Sequence, residues 1–284
     1  MIFLDHTIVL VRNLDSAEHQ YTRLGFTLTP RGGHPTLGTA NHTVMLGTDY
    51  FELLAVLERS SSNSRWAQTL ERREGFAGMA LGTNDARAER DTLIGRGFDL
   101  PPVIDFARPV TLPSGVVEAR FTVAHLPPDA SPALPAFFCQ QHTREFVWRP
   151  EWQQHPNSAF GIAGMTVVHP DPEAAAPGYE RLLGRARVHP HPGGLALSLG
   201  RTRLWLVNPA YAAARLGAGA VADPSDIQPL GFSVLVRDLD AARNHLRGEG
   251  IPFRTFGSRS ILVAPDWTAG VQLELLAADR SMAR

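Results

Sequence analysis

The chain reads as an α+β protein of four βαβββ modules arranged in two pairs, and three observations predict this. The segment Leu10-Val11-Arg12-Asn13-Leu14-Asp15 returns as Leu235-Val236-Arg237-Asp238-Leu239-Asp240. Each copy leads into a helix-like stretch that closes at a glycine, Gly25 or Gly250, and runs on to Glu-Leu-Leu-Ala at Glu52 to Ala55 or Glu274 to Ala277. A second echo, Ala77-Gly78-Met79 before one helix, matches Ala163-Gly164-Met165 before another. Internal similarity of this kind reports architecture before any single residue reports chemistry.

The first module spans Leu4 to Val56. Leu4 to Val11 is rich in β-branched and apolar residues and reads as its opening strand. Asp15 is placed to cap a helix from Ser16 to Leu24, and Gly25 suits a left-handed exit. Strands at Phe26 to Thr29, Asn41 to Leu46 and Tyr50 to Val56 complete it. The second module opens at Phe76 to Thr83, continues into a helix over 86–96 closed by Gly97, and has strands near Val103, at Val116 to Val123 and at Ala136 to Gln141. The third opens at Ile162 to Val168, with Pro172 at the first turn of a helix reaching Leu183, then strands near Arg187, at Leu195 to Leu199 and at Thr202 to Val207. The fourth spans Gly231 to Ala277. Between the pairs, Trp148 and Trp152 sit in a Pro-bounded segment that reads as a packed connector, with a wall of the binding site as the alternative. The expected division is therefore 1–145, a connector over 146–159, and 160–284.

Composition narrows the function. With 284 residues, 44% hydrophobic, 19% charged and a net charge of −1, the chain is an ordinary globular protein with no basic field for nucleic acid or anionic lipid. Cys139 is the sole cysteine, which excludes an intrachain disulfide and a thiolate zinc cluster. The first residues lack the pattern of a signal peptide, and no run approaches the roughly 20 apolar residues of a membrane span. A cytoplasmic protein, monomeric or homodimeric, with a small-molecule substrate is the expectation.

Comparing the modules locates a site. Aligned by the helices that follow, the opening strands put His6 opposite Gly78, Gly164 and Gly231. A glycine inside a strand often marks the close approach of a ligand or of another backbone. On the closing strands Glu52 matches Glu274, Gln140 is the nearest match in the second module, and the third offers no carboxylate. A glutamate in an apolar strand is costly to bury unless paired, protonated or bound to a cation. Only the first module couples it with a histidine. Imidazole with carboxylate is the ligand chemistry of non-haem iron, manganese, zinc or nickel; a hydrogen-bonded pair within the core accounts for the same residues.

Tandem βαβββ modules with a histidine on an opening strand and a glutamate on a closing strand resemble the vicinal oxygen chelate superfamily, which includes glyoxalase I, bleomycin-resistance proteins, extradiol dioxygenases and methylmalonyl-CoA epimerase. Leu4-Asp5-His6-Thr7, Gly38 to His42, Tyr50 to Leu53 and the segment around Trp148 to Trp152 are similar to its glyoxalase-like domain proteins. The resemblance implies that each pair of modules curls into a half-open barrel around a divalent metal ion held by His6 and Glu52, with a further ligand from the second module. His142 is the candidate there, and His125, on the preceding strand, is another. It implies a metal-dependent isomerase, lyase or dioxygenase acting on a small oxygenated molecule, sited in the N-terminal half. The alternative it carries is a metal-free binding or sequestering protein of the bleomycin-resistance type.

Further candidates flank that set. Asn41 and Gln140 are candidates for substrate contact and His42 for proton transfer. Arg31-Gly32-Gly33-His34-Pro35 reads as a loop over the cup. His189 and His191, each followed by proline, read as surface residues. Cys139 reads as a buried small hydrophobe, and Glu274, lacking a histidine partner, as structural.

Overall fold

The computed structural model describes residues 2–279. The N-terminal half contains β1 (Phe3–Leu10), α1 (Leu14–Arg23), β2 (Gly32–His34), β3 (Thr39–Met45), β4 (Tyr50–Val56), α2 (Ser64–Arg72), β5 (Gly75–Gly82), α3 (Ala86–Gly95), β6 (Ile104–Leu112), β7 (Gly115–His125) and β8 (Ala136–Gln141). The C-terminal half contains β9 (Ala159–Val168), α4 (Ala176–Leu183), β10 (Val188–His191), β11 (Gly194–Leu199), β12 (Thr202–Val207), α5 (Pro209–Leu216), β13 (Gln228–Val236), α6 (Leu239–Gly248), β14 (Phe253–Phe256), β15 (Ser260–Val263) and β16 (Gln272–Ala277).

Each half forms one eight-stranded sheet, ordered β2-β3-β4-β1-β5-β8-β7-β6 and β10-β11-β12-β9-β13-β16-β15-β14. The opening strands of the two modules in a half lie side by side at the centre of its sheet. In the first sheet the edge strands β2 and β6 approach one another, so the sheet curls almost into a barrel. No helix among the described residues is long and apolar enough to cross a membrane.

The central strand pairs share two faults, and the C-terminal pair adds a third at Phe160. Between β1 and β5 the register skips at Asp5, because Leu4 faces Leu81 and His6 faces Ala80. Between β13 and β9 it skips at Leu230, because Pro229 faces Val167 and Gly231 faces Thr166. A second skip leaves Ala77 unpaired in one half and Ala163 in the other. The first module is thus the structural counterpart of the fourth and the second of the third, which is how the sequence echoes pair. Such β-bulges re-aim the side chains around them.

Several elements depart from expectation. Asn13, rather than Asp15, caps α1: its Oδ1 accepts the Ser16 N–H at 2.9 Å. Asp15 lies inside the first turn, where its charge favours the helix dipole instead. Phe26 to Thr29 is not a ladder strand; Thr29 bonds the Thr43 carbonyl once, and Pro30 has no N–H to continue. The edge strand forms instead at Gly32–His34. Helices α2 and α5 lie outside the βαβββ plan.

The halves share one core. Phe232 of β13 lies 5.3 Å from Phe51 and 6.0 Å from Phe76, ring centre to ring centre. Asn157 donates to the Leu24 carbonyl, and buried Asp49, in the turn after β3, accepts the Ile162 N–H of β9 at 3.0 Å. Burial, opposed by that N–H, pushes the Asp49 carboxyl up to about 7. The folded chain therefore holds this proton more tightly than the unfolded chain does. The resulting stability is present at about pH 4 and is lost as pH rises through about 7. Asp49→Asn keeps the acceptor and removes the charge. In chemical denaturation it should match the natural protein near pH 4 and exceed it at pH 8, the gap widening between; a gap that does not grow with pH contradicts this assignment.

Candidate active site

The bulge at Asp5 places two neighbours in sequence at one point in space. On a regular strand they would face opposite sides of the sheet. Here the His6 Nδ1–H donates to Asp5 Oδ2 at 2.7 Å, and both residues are buried. Gln141, at the end of β8, donates its Nε2–H group to both oxygens of Asp5, at 3.0 and 2.9 Å. The imidazole is stacked on Tyr50, 4.4 Å between centres, and meets the edge of Phe137 at 5.6 Å. Its remaining nitrogen, Nε2, faces a cavity in the N-terminal barrel and lies 3.7 Å from Glu52 Oε2. The other Glu52 oxygen accepts from the Asn41 amide.

The cavity is small, about 90 Å³. Apolar and aromatic side chains form most of its wall, among them Ile8, Trp66, Phe106, Phe121 and Phe137. Burial pushes His34 down to about 4, with Glu52 opposing and Arg108 and His6 reinforcing the shift, so this ring is neutral near pH 7. Burial also lowers His125, assisted by Arg65. Desolvation keeps the Tyr50 phenol and the Cys139 thiol protonated. Arg108, on β6, is 8% exposed and brings a guanidinium into the same space.

A model of the glyoxalase-like domain matches residues 4–183. The chain belongs to the glyoxalase-like domain family. It is a member of the vicinal oxygen chelate superfamily, and solved structures share its fold. A hypothetical protein from Staphylococcus aureus is 13% identical with a TM-score of 0.71, the match covering 98% of this chain and 100% of that one. A mutant 4-hydroxymandelate synthase from Streptomyces coelicolor is 12% identical with a TM-score of 0.60, over 98% of this chain and 93% of that one. No curated protein matches the chain.

Of the residues singled out from this glyoxalase-like sequence, the fold brings together His6, Glu52, Asn41 and His125, with His34 of the loop read over the cup, and leaves three outside. His142 Nε2 donates to Thr122, which donates to Asp105, on the outer side of the sheet. Gln140 accepts the Ala86 N–H at the start of α3. His42 points from β3 toward α1, its Nδ1–H on the Thr29 carbonyl and its Nε2 3.7 Å from Glu18. The reason is phase. Tyr50 stands opposite His6, and Ala136 stands opposite Met79. The counterpart of Glu52 on β8 is therefore Phe137, and Phe137 and Cys139 face the cup while Gln140 faces away.

The donor set does not fit the divalent metal centre that the superfamily resemblance implies. His6 with its Asp5 partner and Glu52 would serve as two ligands. Among the described residues, no group of three His, Cys, Asp or Glu side chains is close enough to hold a metal. The matching positions of the second module hold Gly78 and Phe137, and the Arg108 cation shares the space. A Cβ at Gly78 would lie 2.8 Å from the Trp66 ring, so tryptophan fills the place of a second histidine. Trp205 stands against Gly164 in the same way, while Gly231 yields to the Gln272 backbone.

Sequence reasoning missed Asp5, Gln141, Trp66 and Arg108. Gln141→Ala would leave Asp5 with one partner in a buried setting. It should lower stability by about 1–3 kcal/mol in a denaturant melt; an unchanged midpoint would show that Gln141 does not support Asp5.

Proposed function

We propose that the N-terminal cup binds a small oxygenated molecule and that His6 transfers a proton on it, in an isomerase- or lyase-type reaction next to a carbonyl. The observation that carries this reading is the Asp5–His6 hydrogen bond, 2.7 Å long, with Nε2 left facing the cavity. A carboxylate on Nδ1 fixes the tautomer whose free nitrogen can take a proton, and it stabilises the imidazolium that results. Gln141 holds Asp5 in place. Glu52, steadied by Asn41, lies beside the same nitrogen and offers a second carboxyl for proton exchange. The apolar wall excludes water from the transfer.

This reading needs no iron, manganese, zinc or nickel. A second reading, sequestration without chemistry, is favoured by the predominance of aromatic and apolar wall over polar groups. The two separate in one experiment. Chelator-dialysed protein in deuterated water is mixed with pyruvate, acetone or dihydroxyacetone, and loss of the proton next to the carbonyl is followed by proton NMR. Enzyme-catalysed exchange is expected, with His6→Gln slower by about 10²–10⁴-fold. Binding without exchange would favour sequestration. Exchange that appears only after a divalent metal is restored would overturn the metal-independent reading.

A further inference from the structure

Strand β6 turns Ile104, Phe106 and Arg108 toward the cup. Arg108 is the anomaly among them. The residue is 8% exposed and its guanidinium opens onto the cavity, yet among the described residues it has no ion-pair partner and no hydrogen-bond acceptor. The groups that face it are otherwise accounted for. The Phe121 ring lies 5.9 Å away, His34 is held neutral, and the Tyr50 phenol is protonated. Glu52 is the nearby carboxyl, and it is engaged by Asn41 and set beside His6. Strand β2 makes room for the guanidinium: a Cβ at Gly32 would lie 2.8 Å from Arg108 Nη1. A charge largely removed from water without a partner is costly, and an anionic ligand in the cup would supply the partner.

We propose that Arg108 anchors the carboxylate of the ligand, so that the cup takes small monocarboxylic acids in preference to neutral carbonyl compounds. This deepens the reading of the cup as the ligand site and rests on it. The planar guanidinium fork matches a carboxylate with two parallel hydrogen bonds. The Arg108 and Glu52 charges in the same cavity already sum to zero, so a monocarboxylate adds one negative charge where a phosphate dianion would add two.

The test uses the full chain with pyruvate, pyruvamide and inorganic phosphate as probes, read by NMR titration and thermal melting. The natural protein should bind pyruvate roughly tenfold or more tightly than pyruvamide. Arg108→Met should bind the two alike, and Arg108→Lys, which keeps the charge and loses the fork, should retain only part of the preference. Without ligand, Arg108→Met should melt at or above the natural protein, because it removes an unpaired buried charge. Melting well below it would make Arg108 a structural residue and overturn the proposal. Equal binding of pyruvate and pyruvamide, a preference for phosphate, or no binding of any probe would also overturn it. Binding unchanged in both Arg108→Met and the cup-filling variant Cys139→Phe would place the probes elsewhere and overturn the reading of the cup as well.

Discussion

The hydrogen bond between Asp5 and His6 depends on a fault in the backbone ladder. A regular strand would send the two side chains to opposite faces of the sheet, and the extra residue in β1 lets them meet. The rest of the site follows from the cost of keeping such polar groups away from water. Gln141 serves Asp5 from β8, Asn41 serves Glu52 from β3, and Tyr50 lays its ring on the imidazole. Each of those side chains reaches the cup because the opening strands of two modules lie side by side at the centre of one sheet.

The C-terminal half shows what the same scaffold becomes when its charges are satisfied from within. It keeps the bulge, with Leu230 at the place of Asp5 and Gly231 at the place of His6. Its glutamate survives as Glu274, which accepts from the Ser233 hydroxyl and lies 3.6 Å from Arg215. His191 stands on the wall of that cup, its Nδ1 accepting the Gly193 N–H rather than facing a carboxylate, and the Arg215 cation is already matched to Glu274. The N-terminal half has the opposite arrangement: a histidine with one nitrogen facing the cavity and a guanidinium without a partner. The two halves differ in those pairings, while the fold of the two is alike.

Much of the fold was legible in the sequence because repetition doubles the signal. The echoes named which modules correspond, and comparison of the copies singled out His6 and Glu52, which the fold does bring together. His142 was misplaced because pleat alternation gives a period and not a phase, while the alternative, His125, does line the cup. Counting from Gln140 put His142 on the cup side, whereas the parallel register of β5 with β8 puts Phe137 and Cys139 there. Asp5 was hidden by the same rule, since only a bulge lets neighbours share a face. Arg108 carried no local signal, because its meaning lies in what does not pair with it. Trp66 belongs to a helix outside the module plan, and only its contact with Gly78 explains why that glycine is there.

The claim that most of this account hangs on is the state of one imidazole. With histidine labelled in both ring nitrogens, NMR at neutral pH reports which nitrogen of His6 carries the proton, and Asp5→Asn identifies the signal. The Asp5 hydrogen bond predicts a proton held on Nδ1, with Nε2 the nitrogen that faces the cup. A ring protonated on Nε2 alone, or one indifferent to Asp5→Asn, would contradict it.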